Sequence, residues 1–430
     1  MKKVFAIFLA FAMALSLAGC GGSGGSDSGT STGSGTGDAA AEGAGSITYV
    51  TLGDTGMEQL KEAAAAFQEQ TGVEVKLESW SYTDAYQKII TLAEGGNMPD
   101  AMYGFSGWTP EFKEAGYIAC AEDYISEELY NDFSETARTV CNVDGKMWAL
   151  PSYMSVRTIL FNQDMLDAAG VESIPTTWEE FLEIAPKLYD PSNAKYAYSL
   201  VAGHAKNTVD CFLPILWAYG ADVVNEDGTA NGFNNPEGVA ALQMYVDLAQ
   251  YSVPDYGEAT INEMQSNWTN QVAAACFHNA QGMAAMRDAG QNFDWAVVAD
   301  PLAGPGGEKY SLGIMDIDLM FATGNEEITG QWLEFWHQAQ YQGKVFEIAG
   351  WVPNQASYYE ENPAFTDPEN IMVAPFAEYE PIAKFKPTLI CWEEVQKYLA
   401  DAVTKAVMGE LTAQEAMELA GGQVDEALAG

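Results

Sequence analysis

Three histidines, His204, His278 and His337, stand far apart in the chain, so no two have the spacing of a zinc-hydrolase helix. Cys120, Cys141, Cys211, Cys276 and Cys391 are scattered without a C-x-x-C pair, which suggests neither a zinc site nor a disulfide framework. They read as small buried hydrophobes, with a Cys120–Cys141 bridge left open. Lys309 follows Glu308 rather than glycine, so the GPGGEK loop is no phosphate cradle. NEDGTANG (225–232) lacks the residue order of a calcium loop and reads as a polar turn. Gly21-Gly22-Ser23-Gly24-Gly25 matches a nucleophile elbow by letter, but that motif needs a strand, a turn and a helix around it. With 61 acidic residues, pairing two of them as acid and base carries no information. No catalytic set, no metal site and no cofactor are expected.

The aromatic residues carry more. Eleven Trp, 21 Tyr and 19 Phe include many at turns instead of on periodic faces: Trp80, Tyr82, Tyr103, Trp108, Tyr153, Trp217, Tyr219, Trp268 and Trp351. Sugar rings present flat C–H faces that stack on apolar rings, and their hydroxyls need fixed donors and acceptors. Aromatics at loop ends beside Asp, Asn and Gly supply both. Asp54, Asp84, Asp316 and Asp318 are acidic companions suited to hydroxyls or to a cationic ligand. Trp178, Trp332 and Trp336 keep helical spacing and belong to the core.

The elements that must hold these groups alternate in type. ITYVTLG (47–53) is a β-branched strand, and 56–70 reads as a helix with Met57, Leu60, Ala64 and Phe67 on one face and Gly72 as its stop. VEVKLES alternates as a strand, Thr83 is placed to cap a helix through Leu92, and AMYGF is a short strand. Thr109-Pro110-Glu111 opens another helix. Strands follow at 157–162, 273–277, 295–299 and 317–322. Helices open at Thr177-x-x-Glu180, at Asn235-Pro236-Glu237 and at Thr412-x-x-Glu415, two of them capping-box patterns. Trp392, Val395, Leu399, Ala402 and Ala406 mark one more helix. This order predicts layered α/β architecture.

Residues 1–19 have a positive start (Lys2, Lys3) and an apolar run to Ala18 too short to span a bilayer, the layout of a secretory signal peptide. Leu17-Ala18-Gly19-Cys20 resembles the lipobox of bacterial lipoproteins, which implies lipidation at Cys20. Residues 21–46 hold ten glycines and six serines, a tether of ~28 Å r.m.s. reach. The formal charge of −42 becomes −44 once Lys2 and Lys3 leave with the leader. Such a surface repels phosphate backbones and anionic headgroups, which excludes nucleic acid as a partner.

Ordered segments across the folded chain resemble the extracellular solute-binding lipoproteins of ABC importers, of the carbohydrate-binding kind. The opening MEQLKEAAAAFQEQTGVEVKLESWSYTDAYQKIITLAEGGNMPDAMYGFSGWTPEFKEAGYI looks like the family's first helix, T-G-x-x-V strand, aromatic-x-D loop and G-x-x-P-D turn. DGKMWALPSYMSVRTILFNQDMLDAAGV is similar to its G-K-x-Y-G-L-P-x-Y crossing. PTTWEEFLEIAPKL, LWAYGADVVNEDG, NNPEGVAALQMYVDLAQ, FDWAVVADPLAGPGGEKYSLG, AGWVPN and GELTAQEAMELAGGQVDEAL follow in order. Two stretches depart from the pattern. SLGIMDIDLMF places Asp316 and Asp318 where small residues are common, and CFHNAQ (276–281) replaces a frequent Asp-Gly-Pro-Trp turn. Both fall at positions that face the cleft in such proteins.

The resemblance implies a two-lobed periplasmic-binding-protein-like α/β fold (type II) with a ligand cleft between lobes and hinges at the crossings. Lobe 1 would combine 47–155 with 296–350, and lobe 2 156–295 with 351–430. The cleft would be lined by Asp54, Tyr82, Asp84, Tyr103, Trp108, Tyr153 and Arg157, then Trp217, Trp268, His278, Asn279, Asp316 and Trp351. Trp268 and Trp351 would be stacking platforms, with Asp84 and Asp316 as hydroxyl acceptors. The expected protein is a non-enzymatic monomer that closes on a carbohydrate and docks on a membrane permease. It would be held by its lipid at the outer face of the cell membrane, in a Gram-positive cell or on the periplasmic side if an outer membrane exists. A binder of peptides, polyamines or another small polar solute, a chemosensory receptor and a secreted glycan-active enzyme are the competing readings.

Overall fold

The computed structural model describes residues 45–430 except Thr83, His204, Ala289, Gln291, Phe293, Pro368 and Met372. The expected leader, Cys20 and its tract to residue 44, and the expected cap Thr83, lie outside the described residues.

The first strand is Ser46–Leu52 (β1), and its β-branched run buries Ile47, Tyr49, Val50, Thr51 and Leu52. Helix α1 (Met57–Thr71) follows and lays Leu60, Ala63, Ala64 and Phe67 inward. Gly72 ends it at φ 79°, where its N–H reaches the Gln68 carbonyl, a left-handed stop that suits a residue without Cβ. Next come β2 (Glu74–Trp80), α2 (Ala85–Glu94), β3 (Ala101–Phe105) and α3 (Thr109–Glu114). β1 pairs in parallel with both β2 and β3, as right-handed β-α-β units require.

The long strand is β4, Leu150–Asn162, where periodicity alone finds only residues 157–162. Pro151 hides its first half from a strand reading. It sits where the ladder slips, at the irregularity opposite Asp316 and Ile317. Helices α4 (Trp178–Ile184), α5 (Ala205–Ala218) and α6 (Pro236–Ala249) follow, with β5 (Tyr196–Tyr198) between the first two. Then come β6 (Ala273–His278), β7 (Ala296–Val298) and β8 (Ser311–Met320), the last starting six residues before the expected 317. A helix at Glu326–Trp336 (α7), the two-residue β9 (Ala383–Lys384) and the helices α8 (Trp392–Val407) and α9 (Ala413–Ala429) complete the set needed here.

One nine-stranded sheet joins these strands in the order β2-β1-β3-β8-β4-β6-β5, with β9 on β8 and β7 on β4. β4 serves two neighbourhoods. Leu150–Arg157 pairs antiparallel with β8, whereas Thr158–Phe161 pairs with β6 and Leu160–Asn162 with β7. Because β7 joins the far half of β4, the chain has not returned to the first neighbourhood at residue 296, and β8 makes that crossing. After residue 350 the chain stays with the first neighbourhood for a stretch: Val352 N–H donates to the Met154 carbonyl, and Ser357 donates to Asp132 at 2.6 Å. Helix α8 packs on α5, α6 and α9.

The capping signals hold in detail at one site and shift at another. Thr412 and Glu415 exchange both bonds of the capping box. Thr177 accepts from Glu180 N–H, but the Glu180 carboxylate turns one residue back to Thr176. Trp178, Trp332 and Trp336 are buried as expected. The five described cysteines are free thiols, so Cys120 and Cys141 form no bridge; Cys120 instead lies 3.6 Å from the Met147 carbonyl.

Candidate functional site

A cavity of about 490 Å³ lies between the C-terminal ends of the first strands and the helices α5 and α8, within the range of small-molecule sites. One wall is aromatic and comes from early sequence: Tyr82, Tyr86 of α2, Phe105 at the end of β3, and Trp108. The opposite wall comes from the segment after β9 and from α8: Phe385, Lys386, Pro387, Thr388, Trp392 and Gln396. Gly313, Ile314 and Met315 of β8 form the floor, and Lys206 enters from the start of α5.

Two glycines make these walls possible. A Cβ at Gly104 would stand 3.0 Å from the Trp108 ring, and one at Gly313 would stand 2.4 Å from the ring of Phe385. Each ring brings an edge or tip close against bare backbone, so its position is set by the strand under it. Phe105 meets Trp108 edge-on with centroids 5.1 Å apart, and Tyr86 joins them at 5.6 Å from Trp108.

Charge converges behind the floor. Asp210 of α5 has no exposed surface, and its two oxygens face Lys386 at 2.9 Å and Arg157 at 3.5 Å. Burial alone would raise its pKa, but Lys386, Arg157 and Lys206 outweigh it and hold the carboxyl below the usual range. Asp316 behaves oppositely. Burial raises it against the pull of the Tyr103 hydrogen bond and the same three cations. Tyr103 donates to Asp316 Oδ2 at 2.5 Å, while Oδ1 is buried with no hydrogen-bond partner among the described residues. Lys206 Nζ lies 3.9 Å from the centroid of the Phe105 ring, and burial followed by Lys386 lowers its pKa. Burial, then Asp316, pushes the Tyr82 hydroxyl up to about 12.

Of the residues picked from sequence, Tyr82 and Trp108 line the cavity. Tyr103 and Asp316 are bonded to each other at its base, and Arg157 pairs with Asp210 beside it. Tyr153 continues this row, 5.5 Å from Tyr103, and is stacked on Trp351 at 4.0 Å. The Trp351 face that was to receive a ligand is therefore covered by Tyr153. Trp268 is fully buried against Trp295 and lies outside the cavity. Trp217 is buried in α5 with Nε1 on Asp222, and His278 and Asn279 are buried at the end of β6. The Asn279 N–H donates to His278 Nδ1 at 2.9 Å, and burial with Arg157 nearby holds that imidazole near 4. Asp54 and Asp84 are exposed and do not line the cavity. Asp318, expected to face the cleft, has no exposed surface.

Sequence reasoning missed Tyr86, Phe105, Lys206, Phe385, Lys386, Trp392 and Gln396. Phe385-Lys386-Pro387 was a legible signal, an aromatic and basic cluster broken by proline outside any periodic face, whereas Trp392 opens a periodic helix. Lys206 carried none, being one lysine near a helix start. Among the described residues, no group of three or more His, Cys, Asp or Glu could hold a metal, and no helix is long and apolar enough to cross a membrane.

This arrangement has recognisable relatives. Residues 53–360 match the model of the bacterial extracellular solute-binding proteins, and the chain belongs to that family. A binding protein of Brucella abortus is 26% identical over 360 residues, 82% of this chain and 85% of that protein. The diacetylchitobiose binding protein DasA of Streptomyces coelicolor is 22% identical over 301 residues, 68% of this chain and 69% of that protein. Among solved structures, an ABC transporter solute-binding protein of Thermotoga lettingae bound with α-D-tagatose superposes with a TM-score of 0.79 at 22% identity, covering 90% of this chain and 100% of that one. The GacH receptor of Streptomyces glaucescens, solved free and with acarbose, gives 0.77 at 22% identity, covering 90% and 99%. The fold is thus the two-lobed α/β architecture of periplasmic binding proteins.

Proposed function

We propose that this solute-binding protein captures a carbohydrate in the cavity between α2 and α8 and delivers it to an ABC permease. One observation carries the reading: two aromatic walls, Tyr82, Tyr86, Phe105 and Trp108 on one side and Phe385 and Trp392 on the other, face each other across a gap edged by Lys206, Lys386 and Gln396. Stacking on the ring faces with polar groups at the edges is the pattern a pyranose needs. The sugar ligands named for the Thermotoga and Streptomyces proteins support it. The walls come from chain segments some 300 residues apart, so a ligand touching both stabilises closure by its differential affinity for the closed form.

The lobes we assign divide where β4 and β8 cross. The first takes residues 45–157 with 311–365, and the second 158–310 with 383–430. Tyr82 and Trp108 then belong to the first lobe, and Lys206 and Trp392 to the second, around the same cavity. Tyr103, Tyr153 and Trp351 form the layer that supports the first wall, and Arg157 and Asp210 fix the second. Lipidation at Cys20, export, tethering at the outer face of the cell membrane and a monomeric state complete the proposal, supported by the Leu-Ala-Gly-Cys order and the Gly/Ser tract. Ligand leaves chemically unchanged.

The test is a thermal-shift and Trp-fluorescence screen of the mature chain against mono- and oligosaccharides, amino acids, peptides and polyamines. A saturable response to a saccharide that is lost in Trp392→Ala supports the reading. Responses confined to peptides, amino acids or polyamines overturn the carbohydrate assignment, and altered ligand masses after incubation overturn the binding-only role.

A further inference from the structure

The chain holds 19 basic residues against 61 acidic ones, and yet Lys206 and Lys386 line one cavity, with Arg157 joined to Lys386 through Asp210. Their partners do not match them. Asp210 engages Lys386 with one oxygen and Arg157 with the other, so both of its oxygens are committed. Lys206 has, among the described residues, neither a hydrogen bond nor a carboxylate at ion-pair distance, and its ammonium rests on the face of Phe105. Asp316, the other acid in this field, accepts from Tyr103 and leaves Oδ1 buried without a partner among the described residues. Glu393 stands exposed at the rim.

A partly buried ammonium set on a ring face is under-satisfied, because the quadrupole of a phenyl ring is a weaker partner than a carboxylate or sulfate. Lys206 also lines the cavity, with its Nζ over Phe105, which packs against Tyr82 and Trp108, so a ligand stacked there lies beside that Nζ. We infer that the ligand is an acidic sugar, whose carboxylate or sulfate is the counter-ion of Lys206. Lys386 adds to the local positive potential while remaining tied to Asp210. Tyr103 holds Asp316 in place and Asp316 keeps an acceptor for a ligand hydroxyl. An ion pair formed only with bound ligand, in a closed and dry site, discriminates strongly against a neutral analogue, because the analogue leaves the ammonium buried and unpaired. The net negative surface does not oppose this: within a cleft the nearest charges set the potential, and distant surface charges are screened.

The inference rests on the cavity being the ligand site, and its test separates the two. The full mature chain is titrated calorimetrically with digalacturonate, trigalacturonate, sialyllactose and chondroitin-sulfate disaccharides, each beside its carboxyl-reduced or desulfated neutral twin. The expected result is at least one acidic probe binding about tenfold or more tighter than its twin. In Lys206→Gln that ratio falls close to one, and Lys206→Arg, which keeps the charge, restores it. Thermal melts of both variants report folding, and the wild-type ratio stands whether or not Lys206→Gln folds. Neutral twins that bind as tightly as the acids overturn the inference and leave the carbohydrate reading intact. Non-sugar carboxylates that bind through Lys206, with no sugar of either kind bound, overturn the carbohydrate reading and keep the anion site. If no acidic probe binds at all, the inference fails.

Discussion

Asp316 and Asp318 lie on the same face of β8, two residues apart, and they occupy opposite kinds of environment. Asp318 has no exposed surface, and both its oxygens are engaged: Tyr49 donates to Oδ1 at 2.7 Å, and His337 Nε2 lies 3.1 Å from Oδ2. His337 in turn meets Gln355, whose amide reaches Asp132. The network closes on itself inside the first half of the sheet. Asp316 is half-buried next to the floor residue Met315, has one partner in Tyr103, and keeps one oxygen unpartnered among the described residues in a field of three cations. A satisfied buried network specifies and rigidifies a core, whereas an unsatisfied group at a cavity is available to something that arrives. The same residue type on the same strand thus separates into a fold-holding role and a ligand-facing one.

The largest effect that would break this contrast concerns stability. Asp318→Ala leaves the Tyr49 hydroxyl and His337 Nε2 without acceptors where water cannot reach them, at about 1–3 kcal/mol each, plus the volume removed. A loss of about 3–5 kcal/mol in denaturant unfolding is expected, against a change within about 1 kcal/mol for Asp316→Asn. The affinities should run the other way, with Asp316→Asn weakening ligand about tenfold and Asp318→Ala leaving the affinity of the folded fraction unchanged. Equal stability losses for the two variants would erase the distinction.

A third buried centre sharpens it through pH. His278 sits at the end of β6 with its Nδ1 accepting from Asn279, and burial together with Arg157 holds it near 4, below the ordinary value of 6.5. The unfolded chain takes up a proton as pH falls through about 6.5, and the folded chain does so only near 4. The contribution of His278 is therefore fully present above the unfolded value and drains away as pH drops, by about 3 kcal/mol in total. Comparing urea midpoints of wild type and His278→Gln between neutral pH and pH 4 checks this. The wild type should lose more stability over that window, and parallel profiles would mean that the imidazole titrates normally in the fold.

The smallest expected effect is steric. Gly313→Ala places a Cβ against the Phe385 ring and pushes that ring off the cavity floor. Ligand affinity should fall by about tenfold with little change in melting temperature, since the displaced ring can turn into the open cavity. Unchanged affinity would show that Phe385 is not part of the stacking wall.

Most element boundaries were readable because local signals set them. The first strand and helix, the turn at Gly72 and the capping box at Thr412 fall within a residue or two of their expected places, and the family's ordered segments indicated the two-lobed fold. The site was readable only in part. Tyr82, Trp108 and Asp316 stood out as aromatics and an acid in non-periodic places. Trp392 was hidden by its helical spacing, because a residue can face a core and a cavity edge from one helix. Trp268 showed the reverse error: read as a turn aromatic, it lies on the helix Ile261–Thr269 and packs inward on Trp295. Nothing in the local sequence separates Asp316 from Asp318, since their defining partners lie 213 and 269 residues away.

That distance has a consequence in time as well as in space. β3 is bonded on one side by β1 and on the other by β8, and β8 also closes the near half of β4. During synthesis the edge of β3 stays open until residues 311–320 exist. At ~5–20 residues per second the wait is roughly 10–40 s. Through that interval Tyr49 has no Asp318, Tyr103 has no Asp316, and an apolar strand edge stands bare. A chain built this way cannot settle its first sheet early, and it remains unfinished, and open to whatever handles unfinished chains, until three-quarters of it has been made.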